Sequence, residues 1–199
     1  SYEGGAAAAL SGVSLRTVDS PTGLLTAGQL TEHLHLADDP HLAPTRLFCL
    51  ENTHNACGGR VLAQDQVVAV CDWAHGHGLA CHLDGARLAN AAVASGQSLA
   101  TLAAPFDTVS LCLSKGLGAP MGSLLAGPAP LIKQAWRERK RFGGGLRQAG
   151  IVAAAGLYAL NHHLKRLADD HKRARQLAEA LAQTAGYQLD LSAVETNLV

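Results

Sequence analysis

Three short, almost continuously apolar runs are the clearest pattern in this chain. They cover residues 45–51 (TRLFCLE), 79–84 (LACHLD) and 108–113 (TVSLCL). Such runs are typical of parallel strands, because helices cover both faces of a parallel sheet. We therefore expect three parallel strands buried on both faces, and residues 123–126 could form a fourth.

The stretches between these runs carry apolar residues at helical spacing. Helices are predicted at 64–77, 86–95, 98–103, 129–141, 146–160 and 161–185. Strands that alternate with helices predict an α/β fold with a mostly parallel sheet covered by helices. Gly186 is expected to end the last helix. Residues 188–191 and 195–199 then predict strands of a different unit.

Composition narrows the class of protein. The chain has 199 residues, of which 48% are hydrophobic and 16% charged, and its formal net charge is zero. This suits one domain, or one domain and the start of another. A neutral chain without a basic tract argues against binding to nucleic acid or to an anionic membrane. The five cysteines are odd in number and form no CxxC pair, which indicates reduced thiols in a cytosolic or organellar interior.

A lysine lies two residues after the end of the third apolar run. Lys115 comes after Ser114 and is surrounded by glycines at 116, 118 and 122, where the backbone bends freely. A desolvated lysine has a lowered pKa and can form a Schiff base with a carbonyl substrate or with pyridoxal phosphate. The alternative is an ordinary exposed loop lysine.

A carboxylate, Asp84, ends the second apolar run. If the strands are parallel, Asp84 and Lys115 reach the same edge of the sheet. Pyridoxal phosphate needs a lysine for its carbonyl carbon and a carboxylate for its pyridine nitrogen, so the pair fits that cofactor. Asp84 could instead cap the helix over 86–95. Arg87 is either a surface residue or a partner for the cofactor ring or a substrate carboxylate.

A basic cluster surrounds the triple glycine at 143–145. Free backbone N–H groups, a helix N-terminus and flanking cations favour phosphate, and Lys140 and Arg147 stand on either side of the glycines. Arg137, Glu138 and Arg139 are expected to lie at the solvated end of a helix.

The histidine pairs at 33 and 35 and at 75 and 77 have metal-like spacing. No cysteine or carboxylate near them in the sequence completes a ligand set, so we predict surface histidines and no metal site. His82 is expected to be a packed core residue, and His54 is expected to position its loop.

Several longer blocks make the chain similar to the threonine aldolases of the β-eliminating lyase group. The blocks are ENTHN at 51–55, GGRVL at 58–62, HLDGAR at 82–87, SLCLSKGLGAPMGSLLAG at 110–127 and GGGLRQAG at 143–150. The resemblance implies an aspartate-aminotransferase-like fold, the fold type I of pyridoxal-phosphate enzymes. It also implies cleavage of L-threonine or L-allo-threonine to glycine and acetaldehyde.

The resemblance assigns a role to each candidate residue. It makes Lys115 the Schiff-base lysine, Asp84 the carboxylate at the pyridine nitrogen, and Arg87 the arginine beside cofactor and substrate. Lys140 and Arg147 resemble a basic pair that reaches the phosphate, often across a subunit interface. His41 matches a histidine near the substrate side chain that could steer the β-hydroxyl proton, although an inert loop histidine is an equal alternative.

The resemblance also predicts the domain organisation. Residues 1–185 would be the large cofactor-binding domain without its first part, and 186–199 the beginning of the C-terminal small domain. The expected protein is a cytoplasmic homo-oligomer, a dimer or tetramer, although a targeting segment upstream would make it mitochondrial. Two alternatives remain: a non-catalytic fragment of this family, and a β-eliminating lyase or aminotransferase on the same fold.

Overall fold

A computed structural model describes residues 3–199 and contains one four-stranded sheet. Its strands are β1 (Leu47–Glu51), β2 (Ala80–Gly85), β3 (Thr108–Cys112) and β4 (Ser123–Ala126) in spatial order β1-β2-β3-β4. The first three are parallel, and β4 pairs antiparallel with β3. The predicted α/β fold with a mostly parallel sheet is confirmed.

Eleven helical segments accompany the sheet in the described part of the chain. The α-helices are α1 (Ala6–Ser11), α2 (Ala27–His33), α3 (Gln64–Gly76), α4 (Leu88–Ser95), α5 (Leu99–Ala103), α6 (Ala129–Arg141), α7 (Gly150–His162) and α8 (Leu167–Ala182). The 3-10 turns are Glu3–Gly5, Leu164–Arg166 and Leu191–Ala193, and Asp190 caps the last of them. Among residues 3–199, no helix is both long and apolar enough to cross a lipid bilayer.

The described helices cover one face of the sheet well and the other poorly. Leu50, Leu83 and Val109 lie in register on one face and pack into the main core. That core also takes the buried faces of α3, α4 and α5. On the other face Leu47 is 52% exposed, and Cys49 is also exposed. The expectation of burial on both faces is therefore wrong for this part of the chain.

A second, smaller core joins the last helices to the loop between β3 and β4. Leu117 from that loop packs with Ala159 of α7 and Leu167 of α8. The long helix predicted over 161–185 is interrupted here. The ring of His163 donates from Nδ1 to the Leu117 carbonyl at 2.7 Å, and a 3-10 turn separates α7 from α8 at this point.

The C-terminal residues do not form the predicted strands. Within 186–199 the structure has one 3-10 turn and no strand. Glu195 accepts a hydrogen bond from the Val61 backbone N–H at 2.8 Å and pairs with Arg60 at 3.2 Å. The buried hydroxyl of Thr196 donates to the Gly59 carbonyl at 2.7 Å. These polar contacts hold the segment against a loop of the large domain, and a domain boundary at 186 stays a prediction.

Two packed histidines predict how stability depends on pH. Burial lowers the pKa of His82, whose Nδ1 contacts the Thr108 hydroxyl at 2.7 Å, and the pKa of His171, whose Nε2 accepts from the Asn90 amide at 3.1 Å. Both are neutral when folded, so the unfolded chain binds more protons below about pH 6.5. These two histidines are therefore expected to lower the free energy of unfolding as pH decreases below that value.

Urea unfolding at about pH 5.5 and about pH 7.5 checks this expectation. His171→Gln keeps an acceptor for the Asn90 amide but does not titrate, so its unfolding free energy should change less between the two conditions. His77→Gln, at the exposed C-cap that follows α3, is the control and should behave like the wild type. An unchanged pH dependence in His171→Gln would contradict the assignment.

Candidate functional site

The carboxyl ends of the parallel strands form one edge of a large open cleft. The register pairs Glu51 with Asp84, so the last residues of β1 and β2 stand side by side. The cleft has a volume of about 1290 Å³, and Asp84, Arg87 and Lys115 all line it. Asp84 and Lys115 thus lie at the same edge of the sheet, as the parallel strands predict, and Arg87 lines the same cleft.

The carboxylate of Asp84 is fixed by its own turn. Its Oδ1 accepts a hydrogen bond from the Ala86 backbone N–H at 2.9 Å, which is an Asx turn. Helix α4 begins only at Leu88, with Arg87 as its N-cap and no side-chain cap, so the alternative that Asp84 caps the helix is wrong. The side chain is exposed to the cleft, and the turn leaves Oδ2 for a ligand.

The absence of a side chain at Gly85 allows β2 and β3 to approach each other closely next to Asp84. A Cβ at this position would collide with the Ser110 backbone carbonyl of β3. The close approach brings the end of β2 next to β3, whose following loop carries Lys115. A side chain at 85 would push Asp84 and this loop apart.

Lys115 lies in a tightly closed loop rather than in a buried strand end. The Gly118 N–H donates to the Lys115 carbonyl at 2.8 Å, and the Ala119 N–H donates to the Leu113 carbonyl at 3.0 Å. The lysine side chain is exposed, so the expectation of a desolvated amine is not met by the described residues. The loop fixes where the amine starts, and the cleft leaves it accessible.

Buried residues that sequence reasoning missed hold this loop in place. Leu117 is 2% exposed and inserts into the second core. A Cβ at Gly116 would meet Leu167 Cδ2 at 2.7 Å, so the loop also packs tightly against α8. A leucine between two glycines was the available signal, since a large apolar residue in a glycine-rich loop needs somewhere to pack.

The two basic residues predicted to reach phosphate lie outside this cleft. Lys140, in the last turn of α6, and Arg147, before α7, are both exposed. The Gly143 N–H donates to the Lys140 carbonyl at 3.3 Å, and the Gly144 N–H donates to the Arg139 carbonyl at 2.8 Å. These bonds terminate α6, so the prediction that the first two glycines offer free N–H groups is wrong.

Of the two histidines with a predicted role, His41 and His54, only His54 lines the cleft. His41 is exposed in the loop before β1, where its backbone N–H donates to Asp39 Oδ1 at 2.8 Å, and it does not line the cleft. His54 does line the cleft, and its Nδ1 is buried without a partner among the described residues. Its backbone N–H donates to the Arg60 carbonyl at 3.0 Å, in agreement with a loop-positioning role.

The residues of the cleft fit pyridoxal phosphate. A lysine amine can hold the aldehyde carbon, a carboxylate can hold the proton of the pyridine nitrogen, and an arginine can hydrogen-bond an oxygen of the ring or of a substrate. Lys115, Asp84 and Arg87 would be the residues that hold the group.

A second polar cluster lies at the opposite edge of the sheet. His75 Nε2 contacts Asp107 Oδ2 at 3.0 Å, and the same oxygen accepts the Cys81 backbone N–H at 2.7 Å. One ligand atom of each residue lies within 4.8 Å of the others. A cysteine and a carboxylate that are distant in the sequence therefore lie beside His75, although the three residues alone do not complete a tetrahedral set.

Fold and site together define an α/β enzyme class with a lysine, a carboxylate and an arginine at the carboxyl edge of the sheet. The β-eliminating lyase family matches residues 1–199, and the chain belongs to that family.

The chain is similar to curated threonine aldolases over its whole length. It is 42% identical over 200 residues to a probable low-specificity L-threonine aldolase 2 of Arabidopsis thaliana, and it covers 56% of that protein. It is 41% identical over 199 residues to the low specificity L-threonine aldolase of Escherichia coli O157:H7, of which it covers 58%. The chain thus spans little more than half the length of these relatives.

Solved structures share the fold. A threonine aldolase of Leishmania major matches 94% of this chain and 55% of its own, with a TM-score of 0.77 at 23% identity. An aromatic-amino-acid aminotransferase of Burkholderia pseudomallei, covalently bound to pyridoxal phosphate, matches 92% of this chain and 50% of its own, with a TM-score of 0.58 at 20% identity. The expected aspartate-aminotransferase-like fold is confirmed.

The anchoring of the Lys115 loop generates a prediction about stability. Leu117→Ala removes a buried side chain from the second core and is expected to destabilise the protein by about 2–5 kcal/mol. Met121→Ala, in the same loop but 48% exposed, should change stability by less than about 0.5 kcal/mol. Urea unfolding measures both, and equal effects would contradict the anchoring role of Leu117.

Proposed function

We propose that this protein is a pyridoxal-phosphate-dependent lyase that cleaves L-threonine and L-allo-threonine to glycine and acetaldehyde. The observation that carries the proposal is the common cleft of Lys115, Asp84 and Arg87. The sequence identity of 42% and 41% to the two L-threonine aldolases described above, over the whole chain, supports the choice of substrate. Because the chain spans little more than half of these relatives, the activity is proposed for the protein as a whole.

Each residue has a distinct task in this proposal. The Lys115 amine would hold the cofactor at its aldehyde carbon. When bound, the cofactor would supply an acceptor for the electron pair of the breaking Cα–Cβ bond. Asp84 would hold the proton of the pyridine nitrogen, and its negative charge would favour that acceptor. Arg87 orients the substrate carboxylate so that the breaking bond has the reactive geometry.

The other residues with a proposed role do not line the cleft of this chain. His41 is proposed to receive the β-hydroxyl proton of the substrate as acetaldehyde leaves. Lys140 and Arg147 are proposed to bind the cofactor phosphate of a neighbouring subunit, since both are exposed cations on a surface away from their own cleft. This arrangement suits a homo-oligomer, for which we propose a homotetramer.

The product also suggests a place in metabolism. Cleavage of threonine yields glycine, so we propose that the protein takes part in threonine catabolism and glycine biosynthesis, and that it does so in the cytoplasm. β-Elimination is the second candidate, because the matching family is described by that reaction. Aldol cleavage and elimination have different products, and a product assay separates them.

The first test follows acetaldehyde and the lysine label together. The protein with pyridoxal phosphate and L-threonine should release acetaldehyde and glycine in equal amounts. After borohydride reduction, mass spectrometry should find a pyridoxyl group on Lys115. Lys115→Ala should lose the label at this site and reduce acetaldehyde release to the background rate, because no amine is left to hold the cofactor.

Lys133→Ala, at an exposed site of α6, is the matched control and should keep both the label and the activity. Acetaldehyde release by Lys115→Ala at the wild-type rate would overturn the assignment. Pyruvate from L-serine without acetaldehyde from L-threonine would favour elimination instead.

A second test separates cofactor binding from its activation by Asp84. Asp84→Asn keeps the size of the side chain and its Oδ1 acceptor for the Ala86 N–H, but it removes the negative charge beside the pyridine nitrogen. The variant should still be labelled at Lys115 by borohydride, while kcat falls by about 100-fold or more. Asp65→Asn, in the exposed first turn of α3, should leave kcat unchanged. An unaltered kcat in Asp84→Asn would exclude the proposed role.

A further inference from the structure

The cluster at the amino edge of the sheet brings together three potential metal ligands from separate elements. His75 lies in the last turn of α3, Cys81 is the second residue of β2, and Asp107 directly precedes β3. Their ligand atoms, an imidazole nitrogen, a sulfur and a carboxylate oxygen, lie within 4.8 Å of one another. We propose that His75, Cys81 and Asp107 bind a Zn²⁺ ion, with water as the fourth ligand.

The backbone fixes two of these ligands relative to each other. The Asp107 N–H donates to the Cys81 carbonyl at 2.9 Å, and the Cys81 N–H donates to Asp107 Oδ2 at 2.7 Å. This two-way contact fastens the carboxylate beside the start of β2. The carboxylate therefore needs no long-range movement to meet a metal ion.

The third ligand needs only a side-chain adjustment. In a tetrahedral zinc site with ordinary bond lengths, the ligand atoms are separated by about 3.4–3.6 Å. His75 Nε2 already lies 3.0 Å from Asp107 Oδ2, and a metal ion would replace the proton that joins them. The His75 and Asp107 side chains are 40% and 44% exposed, so both can rotate towards the sulfur.

The chemistry of the donor set selects zinc over harder cations. Zn²⁺ accepts sulfur, imidazole and carboxylate together, whereas Mg²⁺ and Ca²⁺ prefer oxygen ligands. One thiolate and one carboxylate neutralise the two charges of the ion, which limits the cost of placing it beside the core. His75 and Asp107 are partly exposed whereas Cys81 is buried, so the fourth position would be open to water on the side of the histidine and the carboxylate.

Cys81 contacts a second buried cysteine on the side of the core. Its Sγ donates to the Cys71 backbone carbonyl at 3.9 Å, and both cysteines are fully buried. On binding Zn²⁺ the Cys81 thiol would lose this proton, because the thiolate is the form that ligates a metal ion.

The site is separate from the candidate active site. Cys81 lies three residues before Asp84 on the same strand, which corresponds to about 10 Å along β2. Zinc at the amino edge therefore has a structural role, in which it ties α3 to β2 and β3. Its presence or loss is independent of the proposed reaction at the carboxyl edge.

Cobalt and zinc binding to the reduced, metal-free protein tests this proposal. Co²⁺ should give a near-ultraviolet thiolate-to-metal charge-transfer band and visible bands of tetrahedral coordination, both displaced by one equivalent of Zn²⁺. Competition with a chromophoric chelator should show zinc affinity that falls more than about tenfold in Cys81→Ser, His75→Gln and Asp107→Asn. Bound Zn²⁺ should also raise the Tm of the wild type.

Matched variants separate ligation from general damage. Cys57→Ser and His77→Gln alter the same residue types away from the cluster and should bind Zn²⁺ like the wild type. If Cys81→Ser does not fold, His75→Gln and Asp107→Asn decide the question, because they change exposed side chains. No charge-transfer band, a band that survives in Cys81→Ser, or equal loss of affinity in His77→Gln would overturn the proposal.

Discussion

The parallel pairing of β1, β2 and β3 is the constraint on which the rest of the structure depends. Its register places Leu50, Leu83 and Val109 together on the face that packs into the main core. Because successive side chains alternate between faces, the same register turns Asp84 to the opposite, open face. A shift of one residue in β2 would bury this carboxylate and expose Leu83, so core packing and the site are specified together.

The candidate site also depends on a second core that is remote in the sequence. Lys115 is carried by a loop whose conformation is held by Leu117, and Leu117 packs against helices that come some 40 to 50 residues later. The His163 ring strengthens this attachment by donating to the Leu117 carbonyl. The lysine can stay exposed for chemistry because the residue two positions further on supplies the packing.

The two edges of the sheet carry different chemistry for a geometric reason. All parallel strands run in the same direction, so the residues that follow them meet at one edge and those that precede them meet at the other. Asp84, Arg87 and Lys115 meet at the carboxyl edge, where α/β folds place their sites. Cys81 and Asp107 meet at the amino edge, joined there by His75 from α3.

The sequence by itself determined the four strands, most helices and the three side chains of the cleft. These features depend on local periodicity and on the end of each strand, both of which a linear pattern contains. Tertiary structure alone decided the start of α4 at Leu88, the break at His163, the course of residues 195–199 and the meeting of His75 with Cys81 and Asp107. The break at His163, the course of residues 195–199 and the cluster of His75 with Cys81 and Asp107 result from contacts between residues far apart in the chain, which leave no local signal in the sequence. The late start of α4 has another cause, because the turn at Asp84 takes the N–H of Ala86.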